Sequence, residues 1–221
     1  MANQPSATHS TNSNKLVEAS YDKIASEYLS WTLSTPSPRL SYLATLLTHL
    51  PNPSSSKILE LGCGAGVPGT QFLAQSCSHV TGIDISSAQI ALAKQHVKET
   101  NTEFIQSDML ALKFEKGSFD AVVGLYSILH LTREDQVVLM EMIRGWLKPG
   151  GWFVGNFSLM ANELRGTWIG GQEMFWGGWG RGEWIGILKD AGWEVEKYDV
   201  VVDVEDGREV SFLWVMAKTK E

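Results

Sequence analysis

The stretch ILELGCGAGVPG (58–69) sets glycines at 62, 64 and 66 directly behind an apolar run. Ile58, Leu59 and Leu61 read as a buried strand. The glycines that follow let the backbone turn sharply and come close to a ligand. Pro68 suits the first turn of a helix, where its missing N–H costs nothing. A strand, a glycine turn and a helix in that order open a parallel α/β sheet, whose ligands lie beyond the C-terminal strand ends.

The rest of the chain repeats the alternation. KILELG (57–62), HVTGIDI (79–85), TEFIQSD (102–108), a segment within FDAVVGLYSILHL (119–131) and WFVGNFSL (152–159) read as five strands. Helices are expected through about Gln75, over 86–100, and over 132–147 with Thr132 as cap. After a helix from Glu183 to Ala191, WEVEKYDVVVD and EVSFLWVMA flank the turn EDGR (205–208) as an antiparallel hairpin. Upstream, Val17, Tyr21, Ile24, Tyr28 and Trp31 recur at helical spacing, STPSP (34–38) breaks that helix, and a second follows to Leu50. The expected organisation is a disordered tail (1–14), an N-terminal helical lid (15–50) and an α/β core (51–221).

Charge and composition narrow the partners. A net charge of -7 offers no general attraction to phosphate backbones or anionic membranes. Cys63 and Cys77 show neither a CxxC pair nor metal-type spacing. The Ser/Thr/Asn-rich start carries no apolar run of the signal-peptide kind. These features predict a cytoplasmic protein, monomer or homodimer, that binds no metal, nucleic acid or membrane.

Gly64, Gly66 and Gly69 also fit GxGxxG, the dinucleotide fingerprint, which would make the chain a nicotinamide oxidoreductase. Glu60 opposes that reading, because it sets a carboxylate beside the place a pyrophosphate would occupy. The same acid would welcome a ligand carrying an amine and a sulfonium. Asp84 ends the second strand, where a carboxylate can take both ribose hydroxyls. Asp108 ends the third, where it can accept from an adenine amino group.

With ELGCGAG, GIDIS, SDML, FDAV with SILHL, and LKPGG in this order, the chain resembles the class I S-adenosylmethionine-dependent methyltransferases, in particular the small ubiquinone-biosynthesis-like group. YDKIASEY (21–28) resembles that group's N-terminal lid. The resemblance implies a doubly wound, Rossmann-like seven-stranded sheet with its last strand antiparallel. It implies S-adenosylmethionine as cofactor, held by Glu60, Gly62, Cys63, Gly64 and Gly66 at the methionine end, Asp84 and Ile85 at the ribose, and Asp108 and Met109 at the adenine. Tyr21, Tyr28 and Tyr126 complete the expected lining. A relative of this fold that binds the cofactor without transferring methyl is the alternative.

At the reacting end, His130 is the candidate general base, its other role being a structural bond to a backbone group. MFWGGWGRGEW (174–184), three Trp and one Phe among four Gly, matches no regular element. Trp168, Phe175, Trp176 and Trp179, together with Tyr21 and His130, are expected to face a small-molecule acceptor. Within an aromatic/Gly insertion (158–182), they would form a mobile wall suited to a flat, apolar or cationic molecule, or else plug the core or an interface. Arg165 and Arg181 are candidates for an acceptor carboxylate. GLYSILHL replaces the Asn/Asp-Pro-Pro-aromatic motif that holds a base amine in many nucleic-acid methyltransferases, which favours a small acceptor.

Overall fold

The computed structural model describes residues 7–205 and 208–220. Its elements run α1 (Ala7–Ser34), α2 (Arg39–His49), β1 (Lys57–Leu61), α3 (Gly69–Ala74), β2 (His79–Asp84), α4 (Ser87–His96), β3 (Thr102–Gln106), β4 (Phe119–Gly124), α5 (Arg133–Trp146) and β5 (Leu147–Ser158). They continue with β6 (Glu163–Thr167), β7 (Glu173–Gly177), α6 (Arg181–Asp190), β8 (Glu194–Glu205) and β9 (Arg208–Lys218). The main sheet has seven strands in the order β3-β2-β1-β4-β5-β9-β8. β1 to β5 are parallel, and β9 lies antiparallel between β5 and β8. This is the expected Rossmann-like sheet with its last strand reversed.

Alternation along the central strands divides the core between the two faces. Leu59, Leu61, Val122, Phe153 and Leu213 pack with Met140, Ile143 and Trp146 of α5 and Trp184 and Leu188 of α6. Ile58, Val80, Val123, Val154 and Trp214 point the other way, with Leu43 and Leu46 of α2 and Leu73 of α3. Covered on both sides, the strands read as near-continuous apolar runs, as parallel strands must. At the N-terminus of α5 the Thr132 hydroxyl accepts from the Asp135 N–H at 3.2 Å, and Glu134 and Asp135 favour the positive end of the helix dipole. No described helix is long and apolar enough to cross a membrane.

Two expectations need correcting. The tail placed at 1–14 is helical from Ala7, and only residues 1–6 lie outside the described part. Ser and Asn are poor helix formers, but Ser13 and Asn14 are buried against the body, and tertiary contact overrides propensity. The aromatic/Gly segment is also regular. β6 and β7 form a two-stranded antiparallel sheet with Leu164 opposite Trp176 and Arg165 opposite Phe175, and α6 starts at Arg181.

Two of the glycines there serve close packing: a Cβ on Gly177 would collide with the Leu131 carbonyl, and one on Gly178 with that of Met160. Trp184 is fully buried, its ring 4.0 Å from that of Phe157. Trp184→Ala is expected to lower unfolding free energy by about 3–5 kcal/mol in urea titration.

Candidate functional site

Beyond the C-terminal ends of β1, β2 and β4 lie two cavities that share a wall. The glycine loop forms the floor of the first. Gly62 and Gly64 have φ of +74° and +55°, and a Cβ on Gly62 would strike Ser127. The Gly62 N–H bonds the Ile83 carbonyl at 2.7 Å, tying the loop to β2. Gly66 lines neither cavity. It lets the loop pack against Ala93 and Val97.

Asp84 reaches this cavity from the end of β2, its two carboxylate oxygens accepting from the Gly64 N–H at 2.8 Å and the Ser86 N–H at 2.9 Å. Burial raises its pKa to about 6 in spite of those bonds. Ile85, Asp108 and Met109 line the same space. Asp108 accepts from the Leu110 N–H at 2.9 Å and from the Asn14 side-chain amide at 2.7 Å.

Glu60 lies deeper, in a small adjoining cavity with Cys63, Gly64 and Arg39. Burial raises its pKa to about 7, opposed by the Thr70 hydroxyl and the Arg39 charge and reinforced by Asp84. The Cys63 thiol is pushed up by burial, then by Asp84 and Glu60, which excludes it as a nucleophile. Arg39 and Asn14 are site residues that sequence reading missed. Asn14 was hidden in a stretch that reads as a tail. Arg39 stands at the start of the second helix with no motif around it.

Helix α1 roofs the site. Its Asp22 carboxylate accepts from the Ser86 hydroxyl at 2.6 Å and the Ala88 N–H at 3.0 Å, at the N-terminus of α4. Burial pushes the Asp22 pKa up, but these bonds more than reverse it and hold the group below its ordinary value. Ser20 donates to the Glu173 carbonyl at 2.6 Å, anchoring α1 to β7 as well.

Tyr21, Tyr28, Tyr126 and His130 line both the glycine-loop cavity and the second, larger one. His130 Nδ1 is 2.8 Å from the Phe175 carbonyl, which can only accept, so this nitrogen carries the proton. Its Nε2 therefore accepts from the Tyr21 hydroxyl at 2.9 Å. Burial lowers the His130 pKa to about 4, keeping the ring neutral near pH 7. Tyr126 holds an unusual backbone, φ 55°, for a bulky residue. Its N–H bonds Asn156 Oδ1 and its hydroxyl bonds Asp203 Oδ2, both at 2.6 Å, fixing it in the shared wall.

The second cavity has a volume of about 370 Å³ and a largely aromatic wall. Trp168 packs edge-on against Tyr21, Trp31 and Trp176 at 6.1, 5.7 and 6.4 Å. Trp168 and Trp176 thus face it as expected. Phe175 and Trp179 do not. Phe175 alternates with Trp176 along β7, so its ring joins the Tyr21, Ile24 and Ile169 cluster while its carbonyl orients His130. Trp179 lies beneath the Arg133 guanidinium, 3.7 Å from its ring centre, and donates to the Arg133 carbonyl. Arg165 is exposed on β6 and Arg181 stands over Tyr198, so neither lines the cavity.

A family model described as a methyltransferase domain matches residues 58–151. A demethylmenaquinone methyltransferase from Lactococcus lactis is 42% identical over 100 residues, 42% of this chain and 38% of that one. A sterol 24-C-methyltransferase from Gibberella zeae is 33% identical over 112 residues, 49% of this chain and 29% of that one. The chain therefore spans about a third of the length of these curated relatives. In the solved structures, the Burkholderia thailandensis 1,6-didemethyltoxoflavin-N1-methyltransferase superposes with TM-score 0.72 at 16% identity, covering 100% of this chain and 94% of that one. Over residues 58–151 the chain is therefore similar to methyltransferase domains, and its fold is that of the solved S-adenosylmethionine-dependent methyltransferases.

The buried strand-end acids give the protein an unusual pH response. Glu60 ionises at about 7 when folded against 4.5 ordinarily, so the native state holds the extra proton between those values. Its contribution to stability is complete below about 4.5 and is lost as pH rises through about 7. Asp84 acts in the same direction at lower pH, and His130, with its lowered pKa, in the opposite one. Glu60→Gln removes the first contribution alone. Its melting temperature should gain on that of the unsubstituted protein as pH rises from about 5 to about 7.5.

Proposed function

We propose that the chain is a methyltransferase that takes S-adenosylmethionine in the glycine-loop cavity and methylates an O, N or S atom of a small molecule in the aromatic cavity. The observation that carries this reading is the shared wall, where Tyr21, Tyr28, Tyr126 and His130 meet both spaces. The cavity residues fit the cofactor. Glu60 is a buried carboxylate with no ion pair among the described residues, suited to the methionine ammonium, and Arg39 beside it suits the carboxylate. Asp84 and Asp108 retain lone pairs for the ribose and the adenine amino group. Two buried, unpaired thiols suit a cytoplasmic setting.

Bound S-adenosylmethionine supplies an electrophilic methyl group on a sulfonium. The protein's part is to align the acceptor, exclude water and take a proton where the acceptor carries one. His130 is the candidate base, but its Nε2 is taken up by the Tyr21 hydroxyl, which lines the same cavity. The acceptor proton passes to Tyr21 Oη as the Tyr21 proton passes to His130 Nε2. The Phe175 carbonyl holds the other ring nitrogen throughout. Trp168 and Trp176 form the wall against which a flat acceptor stacks.

Calorimetric titration with S-adenosylmethionine, S-adenosylhomocysteine and NADH tests the cofactor. Micromolar binding of the first two is expected, and binding of NADH alone overturns the reading. Because a cationic ligand favours ionised Glu60, binding at pH about 6.5 should release protons. The heat should then vary with the buffer's ionisation enthalpy in the unsubstituted protein and less in Glu60→Gln. With an acceptor in hand, Tyr21→Phe should lower turnover by about 10²-fold or more while cofactor affinity holds. Equal loss of both makes Tyr21 a packing residue, and cofactor binding without product from any acceptor supports the non-methylating alternative.

A further inference from the structure

The aromatic cavity is lined, among the described residues, by no Asp or Glu and by one cation, Arg208. That is unexpected in a chain of net charge -7. Two cations elsewhere on the surface lie beside acids, Lys197 with Asp199 and Lys218 with Glu194 and Glu196. Arg208 makes no ion pair or ring contact with a described residue.

Its place on the strand explains why it meets the cavity. Arg208, Val210 and Phe212 alternate along β9 and all three line the space. Phe212 is buried and packs edge-on against Tyr126 of the shared wall at 5.2 Å, whereas Arg208 is exposed. The row thus runs from the reacting end to the mouth, and at about 3.3 Å per residue its two ends are ~13 Å apart.

We propose that Arg208 is an anion anchor, and that the acceptor is an elongated flat molecule methylated at one end and bearing a carboxylate or similar anion at the other. Rings give such a molecule its apolar contact with Trp168 and Trp176, and the guanidinium pairs with the oxyanion at the mouth. A cationic acceptor would meet the same guanidinium with no carboxylate among the described lining residues to offset it. This inference rests on the aromatic cavity being the acceptor site.

The test uses three matched probes: 6-hydroxy-2-naphthoate, its neutral carboxamide, and the corresponding aminomethyl cation. Each is titrated into the protein alone and into protein saturated with S-adenosylhomocysteine. The anion is expected to bind about tenfold tighter than the amide, with the cation weakest and the preference shrinking as salt rises. Arg208→Gln should bring the anion down to the level of the amide and leave amide and S-adenosylhomocysteine affinities unchanged. Arg208→Lys should keep part of the preference.

The proposal is overturned by an anion that binds no better than the amide, by a preference that survives Arg208→Gln, or by absence of binding from all three probes. It is also overturned if Arg208→Gln weakens every probe equally and lowers the melting temperature, which would make the residue a partner of the facing hairpin position Glu205. If S-adenosylhomocysteine fails to bind while the anion preference holds, the cofactor reading falls and the anchor stands.

Discussion

Two carboxylates buried at adjacent strand ends govern this site. Glu60 and Asp84 sit on the neighbouring parallel strands β1 and β2, and among the described residues no guanidinium or ammonium forms an ion pair with either. Backbone N–H groups and one hydroxyl hold them, and burial still raises both pKa values. Buried acids left in that state are destabilising unless something positive arrives. Asp84 is tolerated partly because the glycine loop, with its backbone bent into positive φ, aims the Gly64 N–H at it.

Helix α1 depends on the same strand ends. Its Asp22 caps α4, its Asn14 meets Asp108, and its Tyr21 meets His130. These bonds fall in the first half and middle of the helix, each to a different element of the core. A helix with so weak an intrinsic preference at its start is held by tertiary contact, as most helices in proteins are. The roof of the first cavity and one wall of the second are therefore a single element, and displacement of α1 would open both.

The sheet was largely legible in the chain because apolar runs of strand length, separated by glycine turns and capped helices, leave little choice of architecture. The cofactor-side acids were legible for the same reason: position at a strand end is a property of sequence order. Other features depended on distance in space. Asn14 is separated from Asp108 by 94 residues, and nothing local marks it. Phe175 and Trp176 are neighbours of one chemical type, and only the pleat of β7 decides which faces the cavity. The region around them read as irregular because its glycines were weighed for flexibility, whereas their use is to admit the Leu131 and Met160 carbonyls at close range.

Charge is segregated across the shared wall. The acids of the glycine-loop cavity lie behind Tyr21, Tyr28, Tyr126 and His130, and the aromatic cavity has ring faces, a neutral imidazole and a cation at its rim. An acidic molecule entering the second cavity therefore meets attraction at the mouth and aromatic surface within, and the ring wall keeps it from the carboxylates beyond. A cation in the first cavity meets the reverse arrangement. Opposite fields in adjoining spaces orient two reactants toward one boundary before any reactive group acts, and that boundary is where Tyr21 and His130 stand.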